Sequence, residues 1–331
     1  MLLMQIVGLG LLATAVSWLA TRQLVGALTR HAILDRPNAR SSHVRPTPRG
    51  GGIAVIGVVL PAWALIAALS SERPATTAVV LAGALGLALL SWGDDRAGLP
   101  VALRLAAQAI TVVVVLSMAP ARWDFSGGAL PPSADLAVVA LAWIWFINLF
   151  NFMDGIDGIA GGEAASIGVG IAIVAATAGL DWPIMAKSIA LAGAAAGFLA
   201  WNWHPARIFL GDVGSVPLGY LIGWLLLELA QAGQWAAALI LPLYFLADAT
   251  ITLFRRALNR ERIWQAHRSH FYQRAVRAGL SHADVSGRVL VANAFLVAAA
   301  VAAAVAASWL GLLLGLLVVL LLLGNLAWRR R

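Results

Sequence analysis

The sequence contains no cysteine, so neither disulfide bonds nor thiolate metal sites are available to it. It is also poor in charge. Only 11% of its 331 residues are Asp, Glu, Lys or Arg, whereas soluble domains carry about 25%. Hydrophobic residues make up 61%, and the mean hydropathy is +0.86. This balance argues against a soluble domain and indicates an integral membrane protein.

Long apolar runs are what the sequence has in abundance. Runs of about 17–25 residues are long enough to cross the hydrocarbon core of a membrane as helices. They predict an all-α, polytopic protein in which residues 1–331 form a single transmembrane domain with about eleven spans. We place the spans at 2–21, 51–70, 75–92, 101–119, 134–150, 163–180, 184–202, 214–231, 236–254, 286–307 and 309–327.

The basic residues are distributed unevenly between the two sides that these spans define. If the loop 22–50 is cytoplasmic, only Arg73, Arg122 and Lys187 of the 23 Lys and Arg residues fall on the opposite side. This bias follows the positive-inside rule. The odd number of spans then places the N-terminus in the periplasm and the Arg329–Arg331 tail in the cytoplasm. The membrane thereby explains the net charge of +8, and we expect no nucleic acid partner.

The densest polar cluster lies between two apolar runs, at residues 148–163. Asn148, Asn151, Asp154, Asp157 and Glu163 occur there together with four glycines. Asp154 and Asp157 are three residues apart and would share one face of a helical turn. Carboxylates beside hydrocarbon are costly unless they are paired, metal-bound or wetted. A simple turn needs fewer polar residues, so the stretch predicts an active site at a membrane boundary.

Acidic motifs stand at two further span ends on the predicted cytoplasmic side. Asp94 and Asp95 end one span, and Asp212 lies in Phe-Leu-Gly-Asp-Val-Gly-Ser at a predicted helix start. Carboxylates there suit a divalent cation, and an adjacent pair can raise one another's pKa so that one serves as a base. The plainer alternatives are a solvated end of a membrane helix at Asp94 and Asp95, and an N-cap at Asp212 worth about 1 kcal/mol.

Two basic loops complete the predicted cytoplasmic face. Arg49 precedes a run of three glycines, a combination that suits an anionic ligand such as phosphate. His267, Arg268 and His270 lie in the loop 255–285 among several arginines and aromatic residues, which suits a nucleotide diphosphate. The two histidines could instead ligate a metal. The Arg49 loop could also be a solvated positive-inside loop, and the loop 255–285 an interfacial helix that binds anionic lipid.

Asp248 and Glu228 are two of the acids that fall inside predicted spans. Asp248 lies about two turns from the inside face. Because a buried intramembrane acid is a functional candidate by default, we expect it to line the cytoplasmic cleft. Glu228 lies near the outer end of its span, and a structural role is expected for it.

Taken as a set, these motifs resemble the polyprenyl-phosphate N-acetylhexosamine-1-phosphate transferase family, glycosyltransferase family 4. The resemblance runs from Arg36-Pro-Asn to about His282 and depends on three motifs. These are Asp94-Asp95, the Asn148-x-x-Asn151-x-x-Asp154-Gly-x-Asp157-Gly stretch and the Asp212 motif. It implies transfer of a sugar-1-phosphate from a UDP-sugar to polyprenyl (undecaprenyl) phosphate at the cytoplasmic face of a bacterial inner membrane. A homodimer is compatible with the sequence.

The resemblance also implies roles for individual residues. Mg²⁺, or Mn²⁺ in its place, would be held by Asp212 with help from Asn151. Asp94, Asp95, Asp154 and Asp157 would be catalytic, the first two facing the polyprenyl phosphate and the others holding uridine or arranging the metal site. The substrate-binding residues would be Arg49, Asn148, Asp157, His267, Arg268 and His270. The loops 22–50, 93–100, 148–163, 202–213 and 255–285 would together form the site.

Within the family one branch is favoured, and two alternative functions stay open. Eleven spans with the N-terminus outside resemble the lipopolysaccharide and O-antigen branch. The peptidoglycan branch, which uses a phospho-MurNAc-pentapeptide donor, usually shows three consecutive histidines where this chain has His267-Arg-Ser-His270. In this stretch the chain looks more like relatives that transfer a FucNAc- or QuiNAc-type sugar. A polyprenyl-lipid transporter or flippase would instead show inverted repeats and polar residues near the midplane.

Overall fold

The computed structural model describes residues 1–35, 37, 45–70, 74–119, 129–262, 265 and 267–327. Several residues used above lie outside this part of the chain: Arg36 and Asn38 of the resemblance, and Arg73, Arg122 and Arg329–Arg331 of the orientation argument. The predictions that concern them are not addressed by the structure.

The described residues are almost entirely helical. The helices are α1 (Leu2–Arg30), α2 (Gly52–Leu69), α3 (Pro74–Ala97), α4 (Val101–Met118), α5 (Pro132–Met153), α6 (Ile159–Thr177), α7 (Trp182–Asn202), α8 (Asp212–Leu229), α9 (Trp235–Ile240), α10 (Leu243–Leu258), α11 (Phe271–Arg277), α12 (His282–Val305) and α13 (Ser308–Ala327). A π-helical turn, Ala230–Gln234, joins α8 to α9. One antiparallel pair of short strands, β1 (Leu34–Asp35) and β2 (Thr47–Pro48), precedes α2.

The all-α, polytopic prediction is confirmed. Within the described ranges, ten helical stretches are long and apolar enough to cross a membrane. They are α1 to α7, the stretch Asp212–Ile240, α12 and α13. The predicted span 236–254 is not among them, because it is divided between α9 and α10 at Leu241 and Pro242.

The chain nevertheless turns back between α8 and α10. Asp212 at the start of α8 and Asp248 in α10 both lie near the loop that follows α5. The charge of Asp212 acts on Asp154 in that loop. Asp248 accepts the amide of Tyr272, and the Tyr272 hydroxyl donates to Phe152 O at the end of α5. A continuous helix from 212 to 240 would extend about 43 Å and carry α10 away from that end. The reversal occurs near Gly233, whose φ is +87°, so α9 and α10 together form the return pass.

The centre of the bundle is built from α6, α7 and α8. In the Asp212–Ile240 stretch 83% of the most apolar window is buried, against 17% in α1, which lies at the periphery. Small residues allow close helix contacts, as is common in membrane bundles. A Cβ on Gly193 of α7 would overlap with Gly10 O of α1. At the end of the bundle away from Asp212, the Lys187 ammonium donates to both Glu228 oxygens at 2.9 Å, which gives Glu228 a structural partner.

A glycine contact joins α2 to the start of α8. The Gly50 and Gly51 amides donate to Phe209 O at 3.1 and 2.8 Å, and the Gly52 amide donates to Leu210 O at 2.9 Å. A Cβ on Gly52 would overlap with the Cα of Gly214. Because both partners are backbone, neither can move aside as a flexible side chain would.

We therefore expect Gly52→Ala to destabilise the protein by about 1–3 kcal/mol, the usual cost of overpacking. Gly57→Ala in the same helix is the matched control, because a Cβ there meets no atom within 4 Å. Alanine is favoured over glycine by about 1 kcal/mol inside a helix, so the control should be neutral or slightly stabilising. The measurement is the temperature at which detergent-purified protein loses its monodisperse elution peak. Equal temperatures for the two variants would contradict the prediction.

Candidate active site

The N-terminus of α8 is capped by an acid from another helix. The Asp95 carboxylate, at the end of α3, accepts the amide N–H groups of Asp212 at 3.1 Å and of Val213 at 3.0 Å. Gly211 precedes them with φ at +76°, and a Cβ there would lie 2.8 Å from Asp95 Oδ2. Asp212 is therefore the first residue of α8 and not its N-cap, so its own carboxylate is available for other contacts.

Two arginines bridge the three acids. Arg49 Nη2 lies 2.7 Å from Asp95 Oδ1 and 2.9 Å from Asp212 Oδ1. Arg104 Nη1 lies 2.8 Å from Asp94 Oδ2 and 3.6 Å from Asp212 Oδ2. The side chain of Asp212 is 20% exposed, against 7% for Asp94 and 3% for Asp95. The most accessible carboxylate of the three thus stands between two guanidinium groups.

Asp94 and Asp95 are heavily engaged by protein donors. Asp94 Oδ1 accepts the Leu99 amide at 2.6 Å, and Asp94 Oδ2 accepts from Arg104 Nη1 at 2.8 Å. Both oxygens of Asp95 accept amides of α8, and one of them also contacts Arg49. These contacts hold the end of α3 against α4 and α8, and they fix the two arginines beside Asp212.

Asp154 belongs to the same cluster. It follows α5 directly, and its pKa is raised to about 7, first by burial and then by the negative charges of Asp212 and Asp95, with Arg49 opposing the shift. Asn151 Nδ2 donates to the hydroxyl of Ser215 at 2.8 Å, one turn after Asp212 on α8. Asp154 and Asn151 at the end of α5 therefore lie beside Asp212 and Ser215 at the start of α8.

Asn148 lies one turn before Asn151, on α5. Its side-chain amide donates to Gln108 Oε1 at 2.6 Å and to Ile144 O at 2.8 Å. The contact ties α5 to α4, the helix that carries Arg104. The predicted contact between Asn148 and the substrate stays a prediction. The sequence did not indicate that Gln108 would be a neighbour of Asn148.

Asp157 forms a second cluster with two histidines from distant parts of the chain. Its Oδ2 lies 2.6 Å from His204 Nδ1 and accepts the Ala206 amide at 3.1 Å, while its Oδ1 lies 3.2 Å from His282 Nδ1. Burial raises the pKa of Asp157, but hydrogen bonds from His282 and His204 outweigh it, so the pKa is lowered. The three groups lie close enough to hold a metal ion. The Asp157 backbone amide donates to His282 Nδ1 at 3.3 Å, so hydrogen bonds already hold the three groups together.

The histidines of the loop 255–285 lie beside each other. The rings of His267 and His270 are 4.8 Å apart. His267 Nδ1 lies 2.8 Å from Ser269 Oγ, and the pKa of His267 is lowered to about 4, first by burial and then by the nearby His270 and Arg256. His267 is therefore neutral near pH 7. Arg268, between the two histidines in sequence, is half-buried.

His270 is almost fully buried, and its Nδ1 lies 3.2 Å from the carboxylate of Asp248. Asp248 is itself 0% exposed and accepts the amides of Phe271 and Tyr272 at the start of α11. The expectation that Asp248 lines the cleft is thus wrong, because it lies beneath the loop and caps α11. The hydroxyl of Tyr272 then donates to Phe152 O at 2.9 Å, which attaches α11 to the residues just before Asp154.

Comparison with known proteins identifies the family. The chain is 32% identical over 259 residues to the probable undecaprenyl-phosphate N-acetylglucosaminyl 1-phosphate transferase of Bacillus subtilis (strain 168), covering 75% of this chain and 71% of that protein. The sequence profile described as glycosyl transferase family 4 matches residues 77–230. The chain belongs to glycosyl transferase family 4.

Other relatives match the chain to different extents. The decaprenyl-phosphate N-acetylglucosaminephosphotransferase of Mycolicibacterium smegmatis is 29% identical over 314 residues, covering 82% of this chain and 76% of that protein. The phospho-N-acetylmuramoyl-pentapeptide-transferase of Acaryochloris marina is 36% identical, but only over 198 residues, which is 54% of this chain and 52% of that protein. The first kind of relative therefore matches far more of the chain than the second.

The family profile covers Asp94, Asp95, Asp154, Asp157 and Asp212. The structure brings these acids to one end of the bundle, with Asn151 and Arg49 beside Asp212. Arg104, His204 and His282 join them, although their sequence positions predicted no role for them. A lone histidine carries no signal of its partner when 47 or 125 residues separate it from Asp157.

Proposed function

We propose that the protein transfers an N-acetylhexosamine-1-phosphate from a UDP-sugar to polyprenyl phosphate, giving polyprenyl-diphosphate-sugar and UMP. The convergence of Asp94, Asp95, Asp154 and Asp212 around Arg49 and Arg104 is the observation that carries the proposal. Membership in glycosyl transferase family 4 and the names of the relatives support it. The basic loops around the site favour the cytoplasmic face of a bacterial inner membrane.

The reaction joins two anions, and this determines what the residues must do. A phosphate oxygen of the polyprenyl phosphate attacks the sugar-bearing phosphorus of the donor. The bond from that phosphorus to the bridging oxygen breaks, and UMP leaves with the oxygen and its electron pair. Arg49 and Arg104 offset the negative charge of both reactants and fix their approach, which is the principal contribution a protein makes to phosphoryl transfer.

Asp94 and Asp95 act in this proposal through the groups they hold. Asp94 orients Arg104, and Asp95 orients Arg49 and the first turn of α8. A phosphate monoester is largely ionised at neutral pH, so the attacking oxygen needs no strong base. The catalytic role predicted for the pair is then best described as positioning, and a proton transfer to either carboxylate is not required.

We propose that Asp212, with help from Asn151, would hold a Mg²⁺ ion. Burial, and after it the charge of Asp212, raises the pKa of Asp154, and a cation held by Asp212 would reduce that repulsion. Asn151 donates its amide nitrogen to Ser215, which leaves its oxygen as the atom to offer a metal. Mg²⁺ prefers such carboxylate, amide and phosphate oxygens, and Mn²⁺ accepts the same set. When bound, the cation would neutralise charge on the diphosphate.

The remaining substrate contacts concern the donor. We propose that Asn148, His267 and Arg268 border the UDP-sugar, with the neutral His267 serving as a hydrogen-bonding group. The buried Asp157 and His270, predicted as substrate contacts, would act by positioning the loops around it. The relatives that match most of the chain are named for N-acetylglucosamine, so UDP-GlcNAc is the first donor to test. FucNAc- and QuiNAc-type donors and the peptidoglycan donor are then assayed against UDP-GlcNAc.

The test uses purified protein in detergent with undecaprenyl phosphate and each UDP-sugar in turn, and it measures UMP and the lipid product. We expect UMP release to require the acceptor lipid and to stop when EDTA removes divalent cations. Activity restored equally by Mg²⁺ and Mn²⁺ would agree with an oxygen-ligand site. Absence of UMP with every donor, in protein that remains monodisperse, would contradict the proposal and favour a transport role.

A further inference from the structure

We infer that the groove between α12 and α13 binds one phospholipid with an anionic headgroup, a site separate from the reacting centre. The groove has a volume of about 890 Å³. Its apolar walls include Val291, Phe295 and Leu321, each at least 60% exposed. Arg288, Asn325 and Asp284 lie at one end of it, where the Asp284 carboxylate accepts hydrogen bonds from the Ser281 amide and hydroxyl.

The shape of the groove follows from where the two helices touch. Near the loop that joins them, a Cβ on Gly311 of α13 would overlap with Ala303 of α12, so the backbones are very close there. Towards Gly287 and Asn325 the groove opens between them. Arg288 Nη1 donates to Asn325 Oδ1 at 2.6 Å and bridges the open end. In a bilayer such a wedge is filled by a hydrocarbon chain.

The position of Arg288 fits a headgroup phosphate. Helix α12 has 24 residues and is about 36 Å long, which exceeds the roughly 30 Å hydrocarbon core. With that excess at the His282 end, the first turn reaches the headgroup layer, and Arg288 can extend its long side chain from just below that layer into it. Arg288 lies six residues after His282, so it is about 9 Å along the helix from the residue that contacts Asp157. A guanidinium group at that depth pairs well with a phosphodiester, and its planar fork allows two hydrogen bonds.

The groove suits a membrane phospholipid better than the acceptor substrate. The residues assigned to the acceptor, Asp94 and Asp95, lie at the end of α3, which packs against α2, α4 and α8. Helix α12 instead packs against α6, α9 and α13. Because these are different sides of the bundle, a phosphate held at Arg288 is not at the reacting centre.

The experiment measures lipid binding directly and needs no activity. Full-length protein is delipidated in detergent and titrated with phosphatidylglycerol or phosphatidylcholine of the same chain length, and bound lipid is counted by native mass spectrometry. We expect one phosphatidylglycerol per chain, bound at least tenfold more tightly than phosphatidylcholine. Arg288→Gln should weaken phosphatidylglycerol binding about tenfold or more, as loss of a charge-assisted contact does.

Two further variants separate the groove from general effects. Gly287→Leu should block binding of both lipids without disturbing the fold, because a Cβ at Gly287 meets no atom within 4 Å. Arg277→Gln, an exposed arginine of α11, and Gly57→Leu, an open glycine of α2, are the matched controls and should bind as the wild type does.

Three results would overturn the inference. The first is equal binding of the two phospholipids by the wild type, or equal effects of Arg288→Gln and Arg277→Gln. The second is displacement of phosphatidylglycerol by equimolar undecaprenyl phosphate, with a raised KM for that acceptor in Arg288→Gln, which would make the groove an acceptor site. The third is a change in oligomeric mass in Gly287→Leu, which would make it an interface between copies.

Discussion

Replacing Asp212 by Asn should lower kcat by about a thousandfold, since removing one preorganised electrostatic group from an active site typically costs 10²–10³. Asp212 is the most exposed of the three acids bridged by Arg49 and Arg104. The amide keeps the shape of the side chain but removes its charge. The measurement is UMP release at saturating UDP-sugar and undecaprenyl phosphate, with kcat and both KM values determined.

Asp181→Asn is the matched control for this variant. Asp181 is an exposed carboxylate at the start of α7, the opposite end of that helix from Asn202 and the site, so its turnover should equal that of the wild type. A Mg²⁺ titration separates the two roles of Asp212. If Asp212 is a metal ligand, the variant should need a higher Mg²⁺ concentration for half-maximal rate. An unchanged midpoint with reduced kcat would assign it a purely electrostatic role. A kcat within threefold of wild type would contradict both roles.

The sequence predicted the convergence of the acids because each motif stands at the end of an apolar run. Consecutive membrane helices alternate in direction, so motifs at alternate span ends must share a side of the bilayer. Asp94, Asp154 and Asp212 satisfy that condition. What the run lengths could not predict is which helices are neighbours, and therefore that Arg104 of α4 would reach Asp212 of α8.

Local patterns were also insufficient where a partner from another helix replaced the local one. A Gly-Asp at a helix start indicates an N-cap, yet Asp95 of α3 supplies the capping carboxylate and frees Asp212. His204 and His282 give no sequence signal of Asp157, because their contact depends entirely on how α7 and α12 are placed. The division of the return pass into α9 and α10 was missed because Leu241 and Pro242 lie inside an uninterrupted apolar run.

Asp248 likewise depends on partners from distant parts of the chain, and its replacement should have the second large effect. Replacing Asp248 by Ala should destabilise the protein by about 3–5 kcal/mol, as is usual when one partner of a buried charged network is removed. The carboxylate accepts two backbone amides of α11 and lies within 3.3 Å of donors on Tyr244, Thr252 and His270. Alanine would leave these donors buried without an acceptor. The measurement is again the temperature at which the elution peak is lost in detergent.

Two milder variants distinguish loss of stability from loss of position. Thr252→Val removes one donor to Asp248 and should cost about 0.5–1.5 kcal/mol with normal kinetics. Tyr272→Phe removes only the hydroxyl that donates to Phe152 O, so its stability cost should be similar. Because that hydroxyl attaches α11 to the loop of Asp154, Tyr272→Phe should also raise the KM for the UDP-sugar more than it raises the KM for undecaprenyl phosphate. Identical kinetics in Thr252→Val and Tyr272→Phe would show that α11 is held for stability alone. An Asp248→Ala protein as stable as the wild type would show that the Asp248 carboxylate does not organise this loop.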